Sequence, residues 1–136
     1  MFSEISRASV PKPEAIRSII EQVKDCWIEG KGDTLASLFT PDGELIVPGY
    51  RWKGKDAIRQ AAADFAKNTA SVKIEIHQII IEGSHAAVEW YWEDTAVTGQ
   101  KNPADDAIVL DFVGNKIKRL REYIDTQTPK TQSNKG

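Results

Sequence analysis

Residues 71–93 read SVKIEIHQIIIEGSHAAVEWYWE, and the architecture follows from the two-residue period in this segment. Val72, Ile74 and Ile76 alternate with Lys73, Glu75 and His77, the two-residue period of a strand with one buried face. The alternation blurs at residues 78–81, which predicts a bulge or a strand buried on both faces. Glu82-Gly83-Ser84-His85 reads as a turn, after which Val88, Trp90 and Trp92 alternate with Glu89, Tyr91 and Glu93. A loop containing Gly99, Asn102 and Pro103 follows. Ile108, Leu110 and Phe112 then alternate with Val109, Asp111 and Val113. Gly114-Asn115 predicts a hairpin turn, and Ile117 to Asp125 a final strand.

Upstream of this stretch the period is helical. After Pro11 and Pro13, Ile16, Ile19, Ile20, Val23, Cys26 and Trp27 recur at spacings of three and four, one apolar stripe on an amphipathic helix. Gly30 and Gly32 end it, and Asp33 reads as the N-cap of a short second helix carrying Leu35, Leu38 and Phe39. Pro41-Asp42-Gly43 reads as a turn. Leu45-Ile46-Val47 reads as a short strand stopped by Pro48-Gly49, with Tyr50-Arg51-Trp52 as its return partner. Gly54 precedes a third helix over residues 55–68, with Ile58, Ala61, Ala62 and Phe65 as its stripe. Helices gathered early and strands late predict an α+β domain with helices packed on one face of a curved antiparallel sheet. The expected organisation is an N-terminal arm over residues 1–11, one domain over 12–126 and a polar, flexible tail over 127–136.

Composition narrows the classes. The chain has 136 residues, 40% hydrophobic and 28% charged, which are ordinary globular proportions. Eighteen Lys and Arg against twenty Asp and Glu give a formal charge of −2, so no basic footprint for nucleic acid is expected. The longest purely aliphatic run is Ile79-Ile80-Ile81, far short of a membrane span, and the first residues lack a signal peptide's apolar segment. The single Cys26 cannot form an internal disulfide or a Cys-rich zinc site, and reads as core packing. His77 and His85 have no second ligand at metal-binding spacing, so no metal site is expected. A soluble, cytoplasmic protein is the expectation.

Four motifs in order carry a family resemblance. They are the run from Gly32 to Gly43 (GDTLASLFTPDG), Gly54-Lys55-Asp56-Ala57-Ile58-Arg59, Ala87-Val88-Glu89-Trp90, and Gly114-Asn115-Lys116-Ile117 leading into Arg121-Glu122-Tyr123-Ile124-Asp125. Together they resemble the nuclear transport factor 2-like superfamily, and most of all its SnoaL-like branch, over residues 13–126. The resemblance implies a cystatin-like cone: a bent sheet closed by about three helices around a mostly apolar pocket. It also implies a homodimer, here through the outer sheet face carrying Glu89, Tyr91, Glu93, Val109, Asp111, Val113, Arg119, Arg121 and Tyr123.

The branch's relatives include ketosteroid isomerases and limonene-1,2-epoxide hydrolases, and neither catalytic set is retained. The isomerase base falls on Val47, its protonated aspartate on Ile108 and its tyrosine near Val23 or Asp25. None of the first three is a proton carrier. The hydrolase arginine and first aspartate fall on Trp90 and Trp92, and its tyrosine and asparagine on Leu45 and Val47. Only its last acid persists, as Glu122.

The same alignment, and the alternation itself, turn Val88, Trp90, Trp92 and Asp94 inward, with Ile108, Leu110 and Phe112, and with Leu120, Glu122 and Ile124. Glu122 is an acid within an apolar set, so burial should raise its pKa and suit it to proton transfer. Asp94, at the mouth end of its strand, is a second catalytic candidate. Trp27, Val47, Tyr50, Trp52, Phe65, Trp90, Trp92, Ile108, Leu110, Phe112, Leu120 and Ile124 are the candidate ligand-contacting residues. Two functions follow. One is a cofactor-independent isomerase, cyclase or dehydratase of an apolar small molecule with Glu122 as acid or base. The other is a non-catalytic ligand-binding or accessory protein with the same cone.

Overall fold

The computed structural model describes residues 10–128, and most of the arm and tail inferred from sequence lies outside them. Helix α1 spans Pro13–Glu29, with proline in its first turn and Gly30 at its C-cap. Gly30 has φ 70°, a left-handed conformation glycine adopts without steric cost. The sequence stripe is the buried one: Ile16, Ile19, Ile20, Val23 and Cys26 face the core, and Trp27 lies at its edge. Helix α2 spans Gly32–Ser37 and α3 spans Lys55–Lys67. Asp33 is not the N-cap of α2. It sits in the first turn and pairs with Arg59 of α3 at 2.9 Å. The two helices approach closely because a Cβ on Gly32 would stand 3.3 Å from Ala62 Cβ and from the Arg59 carbonyl oxygen.

Six strands follow: β1 (Phe39–Val47), β2 (Tyr50–Lys53), β3 (Thr69–Glu82), β4 (His85–Ala96), β5 (Lys101–Val113) and β6 (Lys116–Ile124). They form one curved, unclosed sheet in the order β2-β1-β6-β5-β4-β3. All neighbours are antiparallel except β1 and β6, which run parallel, Leu45 opposite Leu120.

Two expectations change. Pro41-Asp42-Gly43 is not a turn but part of β1, where the register with β6 slips between Phe39 and Glu44. The strand can bulge there because Gly43 lacks a side chain: a Cβ would lie 3.0 Å from the Ile117 carbonyl oxygen and from Phe39 Cβ. Asn102 and Pro103 are not in a loop but on β5. Pairing of β5 with β6 begins only at Asp106, so the side of Pro103 away from β4 is a free edge where a missing N–H costs nothing. The irregularity expected at residues 78–81 lies just before them, as a register shift between Ile76 and Gln78.

The concave side is filled at one end and hollow at the other. Near the β5–β6 turn, Leu110, Phe112 and Ile117 join Phe39, Ile16 and Ile20 in a solid core. Toward the opposite end the same strands carry the residues that face the cavity described below. On the convex side His85 and Arg119 meet Asp111, Arg121 lies over the Tyr123 ring, and Tyr123 and Val113 are exposed. Among the described residues no helix is long and apolar enough to cross a membrane.

Candidate functional site

A cavity of about 380 Å³ occupies the hollow end. Trp27 of α1 with Ala61 and Phe65 of α3 form its roof, and Leu45, Val47 and Trp52 of β1 and β2 form one side. Trp90, Trp92 and Asp94 of β4 face Asn102, Pro103, Ala104 and Ile108 of β5, while β6 contributes Leu120, Glu122 and Ile124. Trp27, Phe65 and Trp92 contact one another at ring centroid distances of 5.4 to 5.9 Å, edge-on or tilted, which gives a stiff aromatic wall.

Three residues expected at the cavity do not line it. Leu110 and Phe112 share the inward parity but lie in the solid core, since alternation fixes the face of a residue and not its depth along the strand. Tyr50 is 66% exposed, its ring stacked on Trp52 at 5.7 Å, outboard of the wall. His77 is exposed and lies beside Glu75.

The polar groups are few and unequal. Asp94, near the mouth, accepts a hydrogen bond from Trp92 Nε1 and another from Asn102 Nδ2, each 2.8 Å. Glu122 projects among Ile108, Leu120 and Ile124, and its pKa is pushed up to about 9. Burial is the main cause. The neighbouring Asp106 carboxyl adds to it, and the charge of Asp94 adds further. This shift favours the neutral form of Glu122, the form that donates an O–H.

Asp106 was not anticipated from sequence. It is 6% exposed, and its Oδ2 accepts the Trp90 Nε1 hydrogen at 3.2 Å. Its Oδ1 is buried and accepts no N–H hydrogen bond, and the carboxyl interacts side chain to side chain with Glu122. Burial raises the Asp106 pKa, while Glu122, Trp90 and the Ala107 backbone N–H hold it back. The signal was available: stepping back two residues from Ile108 along the inward parity reaches Asp106 and then Ala104. Placing Asn102 and Pro103 in a loop hid it. Among the described residues no three His, Cys, Asp or Glu side chains are grouped to hold a metal ion.

Comparison with known proteins agrees with this architecture. A protein from Catenulispora acidiphila with a ketosteroid isomerase-like fold, solved in complex with trimethylamine, superposes with TM-score 0.74 at 19% identity, covering 79% of this chain and 85% of its own. TerC, co-crystallised with polyporic acid, gives TM-score 0.72 at 18% identity, covering 82% and 92%. A protein from Jannaschia sp. CCS1 described as a SnoaL-like polyketide cyclase gives 0.64 at 15% identity, covering 79% and 85%. At these identities the likeness is one of fold. No curated protein matches the chain in sequence. The profile of the SnoaL-like domain matches residues 20–120, most of the chain, and with the helices, curved sheet and hollow end in place it establishes that the protein belongs to the SnoaL-like domain family.

Proposed function

We propose that this chain carries out cofactor-independent proton transfer on an apolar, ring-bearing small molecule with a carbonyl or hydroxyl oxygen. The observation that supports this reading most is the placement of Glu122, its pKa raised by burial, in an aromatic and aliphatic cavity that Asp94 also lines. Two carboxyl groups in unlike surroundings divide the roles of acid and base. Glu122 donates to the substrate oxygen, and Asp94, oriented by Trp92 and Asn102, takes a proton from an adjacent carbon. On a carbonyl substrate this gives the enol from which isomerisation or cyclisation proceeds, and on an alcohol the same two transfers expel water and leave an alkene. A volume of about 380 Å³ suits a two- or three-ring ligand, and the tryptophans give it stacking surfaces. The ligand of TerC and the cyclase description of the Jannaschia protein support a small-molecule role of this type.

The sparse polar lining favours a second reading, a ligand-binding or accessory protein without turnover. Exchange of the α-protons of 2-tetralone in heavy water, followed by proton NMR, separates the two. The enzyme reading expects acceleration by the wild type and a fall of roughly 10²-fold in Glu122→Gln, the low end for loss of a general acid. Tetralone that binds, seen by tryptophan quenching, but exchanges at the solvent rate supports the accessory reading. A second copy of the chain is proposed to dock on the convex face around the exposed Tyr123 and Val113, and sedimentation equilibrium reads that directly.

A further inference from the structure

Glu122 has one buried neighbour of its own kind, and their placement follows from strand register. Ile108 of β5 stands opposite Glu122 of β6, and Asp106 stands opposite Ile124, so the two acids are diagonal neighbours on the same inward face. Trp90 of β4 stands directly across from Asp106 and gives it the indole N–H. The cavity that contains Glu122 and a shallow outer cleft that contains Asp106 share Trp90 and Ile124 as a common wall. Asp106 thus lies in the partition, with Glu122 on the ligand side and solvent on the other. Its buried Oδ1 accepts no N–H, and its carboxyl meets that of Glu122, a contact between two buried acids that is stable only when they share a proton.

We propose that Asp106 is a positioning residue that holds the working proton on Glu122 and returns it from the water of the outer cleft after each transfer to a ligand. This rests on the proton-transfer reading of the cavity. In the resting pair Asp106 is the carboxylate, favoured by the Trp90 and Ala107 N–H groups, and Glu122 is the acid. When Glu122 gives its O–H proton to a ligand oxygen it becomes a carboxylate. Asp106 then takes a proton from the water of the cleft and passes it to Glu122, while Asp94 releases to water at the mouth the proton it took from the ligand carbon, so all three groups return to their starting states. Other charges bear on the pair. Asp94 acts on Glu122 from β4, and Arg51 of β2 and Arg121 of β6 border a groove at the Glu122 rim. His77, Glu89, Asp105 and Asp125 surround the cleft on the Asp106 side. The roof from α1 and α3 brings no titratable side chain to the cavity.

The test is carbon-13 NMR of labelled Asp and Glu carboxyls from pH 4 to 10 in the wild type, Asp106→Asn and Trp90→Phe. The proposal expects the Glu122 midpoint, near 9 in the wild type, to fall at least one pH unit in Asp106→Asn, a tenfold loss of proton affinity. Trp90→Phe, which keeps a ring and removes the N–H, should move the Asp106 midpoint upward. With naphthalene saturating the cavity, infrared-detected pH jumps should show reprotonation of Glu122 at least tenfold slower in Asp106→Asn. A side chain that only fills space would leave all of these unchanged, and unchanged midpoints or an unchanged rate would overturn the proposal. Should Asp106→Asn not fold, the Trp90→Phe midpoints decide alone. The titration needs no substrate, so its failure is separate from a failure of tetralone exchange.

Discussion

Replacing Glu122 by glutamine should make the protein more resistant to unfolding at alkaline pH and leave it nearly unchanged in acid. The folded chain keeps the Glu122 proton up to about pH 9, whereas an ordinary glutamate releases it near 4.5. Between those values the native state binds more protons than the unfolded state, so stability falls as pH rises. Each pH unit in the window removes ~1.4 kcal/mol, giving a ceiling of ~4 kcal/mol between pH 5 and pH 8. Water at the mouth screens the half-buried carboxyl and relaxation lowers the cost further, so about 2 kcal/mol is the expected loss. Glutamine has a similar shape and no charge to suppress. Its advantage over the wild type should therefore grow from near zero at pH 5 to about 2 kcal/mol at pH 8, or roughly 6 °C in Tm. Urea unfolding followed by circular dichroism at pH 5, 6.5 and 8 measures the gap. A gap that stays constant with pH would mean Glu122 is ionised in the native state near neutrality, and its role as an acid would be lost.

The close approach at Gly43 gives a second expectation: Gly43→Ala should lose about 1–3 kcal/mol in the same urea assay, since neither the Ile117 carbonyl nor the fully buried Phe39 side chain can move aside freely. Retention of full stability would show that β1 and β6 are less tightly apposed there than described. Charge selection gives a third. The cavity lining carries acids and no basic side chain, so 2-naphthol should quench tryptophan fluorescence with a Kd at least tenfold below that of 2-naphthoate at pH 7, about 1.4 kcal/mol of discrimination. Equal affinities would refute it.

The elements of this fold were legible where a single period dominates. The α1 stripe from Ile16 to Cys26 and the alternation through Trp90 and Trp92 each point one way because the large aliphatic and indole side chains fall on one face, buried except for the half-buried Trp92. Reading failed where local chemistry and tertiary pairing disagree. Pro41-Asp42-Gly43 has turn composition, yet pairing with β6 holds it in a strand, with the bulge absorbing the mismatch. Asn102 and Pro103 look like loop residues, yet β4 alone is enough to hold them extended. At the site, parity identified Glu122 and the tryptophans as facing inward but could not say that Leu110 and Phe112 are plugged while Ile108 is open. That depends on how far along the sheet the core reaches. Asp106 is hidden because the loop-like composition of Asn102 and Pro103 obscures the start of β5's alternation.

The parallel pairing of β1 with β6 joins residue 39 to residue 117, two segments separated by nearly all the rest of the domain. During synthesis β1 and β2 emerge early but have no neighbour on their inner edge until the last strand leaves the ribosome. One side of the chamber is therefore added at the end, and contacts so distant in the chain slow the search for the native state. A nascent chain halted before residue 116 would expose Leu45, Val47 and Trp52 without an opposing wall, so chaperone binding to such a stalled chain should concentrate on the β1–β2 hairpin.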